Sequence, residues 1–451
     1  MPVLPEIFIQ SIACCQGFDE VTFIEAHQTA SPTSIRLNPF KPAGLKFTLD
    51  EPVPWNSNGF YLKERPNFTH DILFQAGCYY VQEAGSMFIE HALKSCVDFN
   101  ETLAVFDVCA SPGGKSTLLN SLLTKDSLLV ANEVVKSRAD VLAQNLAKWG
   151  TSNVVVTNND PAAFSEMENV FDVILVDAPC SGSGLFRKQT DAIGEWSLDN
   201  VNLCSQRQKR ILSDIIDSLK PGGTLVYSTC SYSASENEEI ADWLITEFGL
   251  KTVNIPVEKS WGIVETSSDI HKAYGYRFYP DKTKSEGFFC AVLKKDKADD
   301  HYSSRKSKYE TFSPIKQKEK DLFVNWINNI AEQEIIKFKD DYLLTNKMVI
   351  DFVNKYTSLY LRKVGTTIGS VIKEDVIPHH DLSWSIHRAD AIETIDCTEE
   401  DAIRFLKKEL QLIEGKKGWN LLAYKSFGIG WIKHLGNRIN NYLPNEYRIL
   451  K

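Results

Sequence analysis

The sequence predicts an α/β protein built around a doubly wound, mostly parallel sheet. Between residues 103 and 230, short apolar segments alternate with segments that have helical periodicity. These apolar segments are rich in β-branched residues and continuously hydrophobic, as expected for strands that are buried on both faces. The chain has 451 residues, of which 43% are hydrophobic. This length is sufficient for two or three domains, each with its own core.

The predicted elements follow one another in a regular order. The strands are "LAVFDVCA" (103–110), "SLLVANEV" (127–134), "NVVVTNND" (153–160), "FDVILVDA" (171–178), "TLVYSTC" (224–230) and "GFFCAVLKK" (287–295). The helices are "TLLNSLL" (117–123), "KSRADVLAQNLAKWG" with Gly150 as its stop, and "NLCSQRQKRILSDIIDSLKPGG" ended by Pro-Gly-Gly. Ligands of such sheets bind beyond the carboxyl ends of the strands. One edge of the sheet should therefore gather Cys109, Glu133, Asp160, Asp177, Cys180 and Cys230.

The regions outside this sheet differ from it in composition. Residues 1–75 form a mixed segment that contains "SIRLNPFKP" and the irregular "VPWNSNGFYLKERPNF". The chain from residue 294 to 320 is low in apolar residues, which is typical of a linker. The last 70 or so residues are rich in glycine and aromatics, which favours a compact β-rich module. We therefore expect four parts, namely 1–75, 76–295, 296–375 (linker and small domain) and 376–451.

Charge and cysteine usage narrow the class of protein. The net charge is −9, yet from residue 402 onward ten basic residues face only three acidic ones. A basic module on an acidic body can hold phosphate, although a solvated lysine-rich face is an equal alternative. No apolar run approaches the roughly 20 residues of a membrane helix, and "MPVLPEIFIQ" lacks the basic region of a signal peptide. The ten cysteines contain no Cys-x-x-Cys pair, so we expect a cytoplasmic protein without a metal site.

The turn "CASPGGKS" (109–116) joins a predicted strand to a predicted helix, where backbone amides can approach an anionic ligand. A phosphate-binding loop would need glycine where Cys109 stands, and the dinucleotide pattern Gly-x-Gly-x-x-Gly is absent. Glu133 lies 20 positions beyond Gly113 and suits a ribose, while Asp160 suits the adenine side. A nucleoside whose carboxylate is held by Lys115 or the helix amides describes S-adenosylmethionine. Another nucleotide, or a purely structural turn, remains the alternative.

The segment "VDAPCSGSG" (176–184) places Asp177 and Cys180 after the fourth strand, and Cys230 ends the next one. Neighbouring strands lie roughly 5 Å apart, so both thiols can face one pocket. Carbon-5 of a cytosine becomes nucleophilic after a thiolate adds to carbon-6. Asp177 would stabilise ring nitrogen-3 if burial kept it protonated, and the second thiol would assist release. Each thiol alone is more often a packing residue, and these patterns leave open which one attacks.

With these residues in view, the sequence resembles the Sun-family RNA cytosine-5 methyltransferases, in particular the bacterial 16S small-subunit ribosomal RNA methyltransferase F group. The resemblance covers nearly the whole chain. Its motifs, in order, are "SIRLNPFK", "YYVQEAGSM", "DVCASPGGKST", "NEVVKSR", "DAPCSGSG", "YSTCSYSASENE" and "RFYPDKTKSEGFF". The pair "DAPCSG" and "STCS" is the most specific. Asp281 stands where the family often has histidine, which weakens any basic contact at that position.

The resemblance implies a role for each matching residue. The methionine end of the cofactor is assigned to Cys109, Ala110, Ser111, Pro112, Gly113, Gly114 and Lys115. It further implies that Glu133 takes the ribose, Asp160 the adenine side, and Asp177 the junction of cofactor and target base. Cys230 becomes the nucleophile and Cys180 the release residue. DNA cytosine methyltransferases show the reverse pattern, in which the Pro-Cys thiol attacks.

The resemblance also implies an architecture and a substrate. A Rossmann-like methyltransferase sheet would carry an N-terminal α+β RNA-recognition-like extension and a C-terminal β-rich, PUA-like RNA-binding module. The substrate would be a cytosine in 16S ribosomal RNA or in the small subunit, and the protein would be monomeric. Transfer RNA as substrate, or a non-catalytic ribosome-assembly factor, remain the alternatives.

Two further features favour packing over function. His379 and His380 lie side by side, but no partner cluster suggests a metal. Five aromatic residues near the C-terminus are of a type that stacks on bases, although at this spacing they are more often core. They are Trp419, Tyr424, Phe427, Trp431 and Tyr442.

Overall fold

The computed structural model describes residues 4–297 and 312–450. The middle of the predicted linker, residues 298–311, lies outside the described residues. Within the described ranges, four sheets are present, and the largest has the predicted doubly wound centre. The predicted α/β class is confirmed. None of the helices in these ranges combines the length and the apolar character that crossing a bilayer requires.

The N-terminal region forms an antiparallel sheet of strand order β2-β3-β1-β4. Its strands are β1 (Thr33–Leu37), β2 (Leu49–Pro52), β3 (Gly59–Leu62) and β4 (Tyr79–Val81). The accompanying helices are α1 (Glu6–Ile12), α2 (Glu20–His27), α3 (Ile72–Gln75) and α4 (Phe88–Lys94). Carboxylates fix two of the helix starts, since Asp19 and Asp71 accept backbone N–H groups in the first turns of α2 and α3.

The centre of the largest sheet consists of five parallel strands in the order β9-β8-β5-β6-β7. They are β5 (Ala104–Asp107), β6 (Leu128–Asn132), β7 (Val154–Thr157), β8 (Phe171–Asp177) and β9 (Leu219–Thr229). The helices of this part are α5 (Gly114–Leu122), α6 (Lys136–Trp149), α7 (Asp191–Glu195), α8 (Leu198–Ile215) and α9 (Glu238–Phe248). As predicted, α6 ends at Gly150, which adopts the left-handed conformation (φ 99°).

The predicted end of the long helix at Pro-Gly-Gly is wrong. Helix α8 ends at Ile215, and strand β9 already begins at Leu219, so that Pro221, Gly222 and Gly223 lie inside the strand. The β8–β9 ladder shifts register between Phe171 and Val173, opposite this segment. Gly222 has φ 76° there, which a glycine adopts without steric cost. The irregular ladder therefore accommodates residues that usually end an element.

Antiparallel strands extend the central sheet beyond its predicted limits. On the β9 side lie β10 (Lys251–Thr252), β11 (Val264–Ser267), β12 (Tyr274–Phe278) and β13 (Phe288–Lys294). The order there is β11-β12-β13-β9, and β10 also pairs with β13. Only β13 among these was predicted, because the others are short and two of them are half-exposed.

The C-terminal part contains two smaller sheets and one strand, β16 (Leu361–Val364), that joins the central sheet. The first smaller sheet consists of β14 (Glu334–Phe338), β15 (Asp341–Thr345), β17 (Thr366–Ile372) and β18 (Asp375–Pro378). The second comprises β19 (Thr394–Asp396), β20 (Gly418–Tyr424), β21 (Phe427–His434) and β22 (Ile439–Asn441). The helices are α10 (Gln317–Lys320), α11 (Lys347–Lys355), α12 (His380–Trp384) and α13 (Glu399–Leu406). Strand β16 pairs antiparallel with β7, so this part of the chain completes the edge of the central sheet.

Alternating side chains of the central strands build two cores, one on each face of the sheet. Val105 of β5 packs in a cluster with Leu118 and Leu142 of the helices α5 and α6. Its neighbour Phe106 packs on the other face, in a cluster with Ile211 and other residues of α8 and α9. Burial on both faces holds the strand ends in fixed positions. The carboxyl edge is therefore a rigid platform for side chains.

His380 is a buried packing residue, as the sequence favours. Its ring lies 4.2 Å from the Trp384 ring centroid and 5.1 Å from that of Tyr447. Neither ring nitrogen has a hydrogen-bond partner among the described residues. Burial lowers the pKa of His380 to about 3.

This histidine predicts an acid-sensitive contribution to stability. The unfolded chain takes up a proton near pH 6.5, whereas the folded protein does so only near pH 3, so stability falls as the pH drops through this interval. We expect His380→Phe to remove about 2 kcal/mol of the difference between pH 7 and pH 5. Thermal unfolding of both proteins at the two pH values measures this. Equal pH dependence in both would contradict it.

Candidate active site

The carboxyl ends of the five parallel strands enclose a cavity of about 460 Å³. This volume is typical of sites for small molecules. Seven residues predicted from the sequence line this cavity, which we call the rim cavity: Cys109, Ser111, Glu133, Asp160, Asp177, Cys180 and Cys230. They come from segments far apart in the chain, and the strand order β9-β8-β5-β6-β7 brings them to one place.

The other residues of the glycine turn do not line the rim cavity. Gly113 is the N-cap residue of α5 with φ 111°, and a Cβ there would lie 3.2 Å from Cδ1 of Leu142. A Cβ on Gly114 would lie 3.2 Å from Cε1 of Tyr80. Ala110 is buried, and Pro112 accepts a hydrogen bond from Asn145 at 2.8 Å. The turn therefore packs α5 tightly against its neighbours. Lys115 does not line the rim cavity itself but contacts Asp177, which does.

Two carboxylates mark one end of the rim cavity. Glu133 is 4% exposed, and its Oε1 accepts the N–H of Val135 at 2.8 Å. Its Oε2 lies 3.4 Å from Nη2 of Arg138. Asp160 forms an ion pair with Arg210 at 3.0 Å, and this hydrogen bond lowers the pKa of Asp160. The cavity wall between them is apolar and includes Val134, Pro161 and Ile211. An apolar slot with carboxylates at its rim suits a nucleoside, whose hydroxyl groups are donors.

The two thiols meet at the opposite end of the rim cavity. Cys180 Sγ and Cys230 Sγ lie 3.1 Å apart, since β8 and β9 are neighbours in the sheet. The hydrogen bond to Cys230, together with burial, raises the pKa of Cys180. Cys180 therefore keeps its proton, and this thiol can donate to the sulfur of Cys230. The pocket predicted from the two strand ends is present.

Asp177 is held between two donors beside the thiols. Its Oδ2 lies 2.7 Å from Nζ of Lys115, and its Oδ1 accepts the hydroxyl of Ser228 at 2.9 Å. Burial lowers the pKa of Lys115, but Asp177 outweighs this effect and the net shift is upward. Asp177 and Lys115 thus lie within ion-pair distance beside the thiols, and the protonated Asp177 considered from the sequence stays a prediction.

Sequence reasoning missed Glu236, which connects the two thiol loops. This carboxylate is fully buried. It accepts the N–H of Ser181 at 2.8 Å, the hydroxyl of Ser181 at 2.6 Å and the hydroxyl of Ser231 at 2.5 Å. Ser181 and Ser231 each directly follow one of the two cysteines. The only sequence feature related to this contact is the serine after each cysteine, and it does not indicate that both serines donate to one carboxylate.

Asp107 was also missed, although it ends strand β5. It is fully buried, and its Oδ2 accepts the hydroxyl of Ser116 at 2.6 Å. Burial raises the pKa of Asp107 to about 7. Within the described residues, no group of three or more His, Cys, Asp or Glu side chains is arranged to hold a metal ion.

Gly184 provides a test of how tightly the thiol loops are packed. Its N–H donates to the carbonyl of Cys230 at 2.8 Å, and a Cβ there would lie 2.4 Å from the carbonyl oxygen of Gly287. We expect Gly184→Ala to destabilise the fold by about 2 kcal/mol or more, because backbone must move. Thermal unfolding and the alkylation rate of Cys230 measure this. Gly182→Ala is the control, since its Cβ meets no atom within 4 Å and only its φ of 73° is strained. Equal losses of stability in Gly184→Ala and Gly182→Ala would contradict the predicted clash with the backbone of Gly287.

Three family models match successive parts of the chain. The model described as 16S rRNA methyltransferase RsmB/F matches residues 95–294. The N-terminal domain of 16S rRNA methyltransferase RsmF matches residues 4–84. The methyltransferase RsmF PUA domain matches residues 392–449.

Curated relatives and a solved structure are similar over large parts of the chain. A ribosomal RNA small subunit methyltransferase F from Aliivibrio salmonicida is 30% identical over 98% of this chain and 97% of the relative. The protein of the same name from Shewanella loihica is 30% identical over 88% of this chain and 83% of the relative. The crystal structure of a methyltransferase homolog from Pyrococcus horikoshii is 29% identical, with a TM-score of 0.54. The match covers 64% of this chain and 95% of that one.

Proposed function

This chain belongs to the ribosomal RNA small subunit methyltransferase F family, and from this we propose that it methylates carbon-5 of a cytosine in 16S ribosomal RNA. The methyl donor is S-adenosylmethionine. The observation that carries the proposal is the pair of thiols 3.1 Å apart beside Asp177. Both thiols lie in the same cavity as Glu133. Methylation of a pyrimidine carbon through a covalent thiol adduct uses these groups beside a nucleoside site.

The rim cavity fits S-adenosylmethionine in size and in the chemistry of its walls. Glu133 is placed to accept from the ribose hydroxyls, and Asp160 lies on the adenine side. Cys109 and Ser111 are assigned to the methionine end, where the turn from Ala110 to Lys115 supports them. When bound, S-adenosylmethionine supplies an electrophilic methyl group. The side chains of Arg138 and Arg210, which pair with the two carboxylates, form the rest of this end of the cavity.

The base site is assigned to the opposite end of the rim cavity. Cys230 adds as a thiolate to carbon-6 of the cytosine, which makes carbon-5 nucleophilic. Asp177 accepts hydrogen bonds from the polar edge of the ring, and Lys115 supplies positive charge there. Cys180 acts in release: a base from the solvent accepts the carbon-5 proton, the electron pair of that bond re-forms the double bond between carbon-5 and carbon-6, and Cys230 leaves carbon-6 as a thiolate that Cys180 can protonate. Its raised pKa supports this role, because a neutral thiol can donate to the departing sulfur.

The target base must leave its stack to reach the thiols, so RNA is the partner. We further propose that the substrate is ribosomal RNA, free or in the small subunit, and that the enzyme is a cytoplasmic monomer. The division into 1–75, 76–295, 296–375 and 376–451 is kept as part of this proposal. The models of an RsmF N-terminal domain and a PUA domain at the two ends of the chain support flanking RNA-binding modules.

Bisulfite mapping tests the proposal. Ribosomal RNA from cells with and without the protein is compared, and one 5-methylcytosine in 16S RNA should be lost. Complementation with the wild-type chain should restore it, whereas Cys230→Ala should not. Unchanged 16S RNA together with a lost transfer RNA methylation would move the substrate to transfer RNA. Restoration by Cys230→Ala, with no methylation lost anywhere, would favour a non-catalytic assembly factor.

A further inference from the structure

A second cavity, of about 360 Å³, lies between the N-terminal sheet and the loop that follows Cys180. Thr33 of strand β1, Val81 of strand β4 and Gln82, which directly follows β4, line one wall. The loop residues Arg187 and Lys188 form the other wall, and Arg65 also lines the space. The sequence analysis assigned no role to this space. We call it the strand cavity.

The strand cavity shares a wall with the rim cavity. Leu185 lines the rim cavity, whereas Arg187, two residues further along the same loop, lines the strand cavity. The wall is fixed to the backbone of Cys230, because Gly184 N–H donates to its carbonyl at 2.8 Å. Gly287 N–H in turn donates to Gly184 O at 3.1 Å. The loop that follows Cys180 therefore separates a ligand in the strand cavity from the rim cavity, where the two thiols lie.

The acidic side chains of the strand cavity are already neutralised or hydrogen bonded. Glu286 pairs with Arg187 at 2.8 Å, and both side chains are almost fully buried. Glu83 accepts three backbone N–H groups, from Gly85 at 2.8 Å, Ser86 at 2.9 Å and Glu286 at 2.9 Å. Both carboxylates thus already have donors, and the lining cations that pair with no carboxylate among the described residues are Arg65 and Lys188.

Arg65 and Lys188 supply this positive charge. Both are exposed, and neither has a carboxylate within ion-pair distance among the described residues. The guanidinium of Arg65 packs over the ring of Phe68, 5.3 Å from its centroid. Exposed cations without a carboxylate partner are the usual contacts of a nucleic-acid backbone. The hydroxyl of Thr33 also has no hydrogen-bond partner among the described residues and can meet a ribose hydroxyl.

We propose that the strand cavity binds the RNA strand next to the target cytosine, with Arg65 and Lys188 on its phosphates. This inference rests on the proposed function, since a base extruded into the rim cavity carries its neighbouring nucleotides to the shared wall. Arg187 is held by Glu286 and shapes the wall. The strand cavity thus fixes the position of the strand, and the rim cavity performs the chemistry.

The double variant Arg65→Ala/Lys188→Ala tests the inference with transcribed 16S ribosomal RNA as probe. We expect the dissociation constant for RNA to rise about tenfold or more, and the slope of log affinity against log salt to fall by about one per lost contact. The turnover number and the KM for S-adenosylmethionine should stay within about threefold, because no residue of the rim cavity is changed. Arg65→Lys/Lys188→Arg should restore both the affinity and the salt slope.

Lys316→Ala/Lys318→Ala is the matched control, since both lysines are exposed and lie at α10, outside the strand cavity. RNA affinity and salt slope equal to those of this control would overturn the inference. Both quantities are measured without turnover. An RNA-binding wild-type protein that methylates no RNA would therefore count against the proposed function alone.

Discussion

Cys180→Ala is expected to leave the enzyme covalently attached to its RNA. Cys230 can still add to carbon-6 and the methyl group can still be transferred, but the release step lacks its second thiol. Cys180 is the thiol whose sulfur lies 3.1 Å from that of Cys230. Labelled RNA that migrates with the protein on a denaturing gel measures the adduct. We expect this species to accumulate as turnover falls below detection.

Cys230→Ala is expected to abolish both the adduct and methylation, because the ring is then never activated. Cys14→Ala serves as the control, since this exposed thiol lies outside the rim cavity and its loss should change neither readout. An adduct that survives in Cys230→Ala and disappears in Cys180→Ala would reverse the two assignments. The gel therefore decides which thiol attacks, a question that the motifs alone left open.

The five parallel strands could be predicted because each carries its own local signal. Apolar, β-branched segments such as 154–157 and 171–177 are recognisable without knowledge of their neighbours. Residues at the carboxyl ends of such strands meet at one edge in any doubly wound sheet. This rule brought Glu133, Cys180 and Cys230 to one place before the structure was known.

The strands that were missed depend on partners far away in the chain. Residues 361–364 form β16 only because the edge of β7 accepts them, about 200 residues after β7 itself. Pro221 and the two following glycines look like a helix end locally, but the ladder with β8 extends through them. In both cases tertiary pairing outweighs local propensity.

In the site, too, some features have a local sequence signal and others depend on tertiary contacts. The types of its reactive residues were readable from the motifs, whereas the interactions that set their state were not. The ion pair between Lys115 and Asp177 joins the first turn of helix α5 to the last residue of strand β8. Likewise, Glu236 meets Ser181 only because the loops after β8 and β9 fold over one another. Hydrogen-bond partners follow from three-dimensional packing, which one sequence does not display.

The second large effect is expected from Glu236, a positioning residue that touches neither thiol. Glu236→Ala leaves the N–H of Ser181 and the hydroxyl groups of Ser181 and Ser231 without their acceptor in a buried place. Each unsatisfied buried donor costs about 1–3 kcal/mol, so we expect several kcal/mol of lost stability. Glu236→Gln retains one acceptor oxygen and should lose less. Thermal unfolding measures both variants.

Measurements of kcat distinguish a role of Glu236 in positioning the thiol loops from a role in fold stability alone. We expect Glu236→Gln, assayed well below its unfolding temperature, to lower kcat about tenfold or more while both KM values stay within about threefold. The reason is that the loops carrying Cys180 and Cys230 lose their shared anchor, whereas the ends of the cavity that bind cofactor and RNA are unchanged. Glu239→Gln, an exposed neighbour on α9, is the matched control. A folded Glu236→Gln enzyme with the kcat of that control would show that the carboxylate only fills space between the loops.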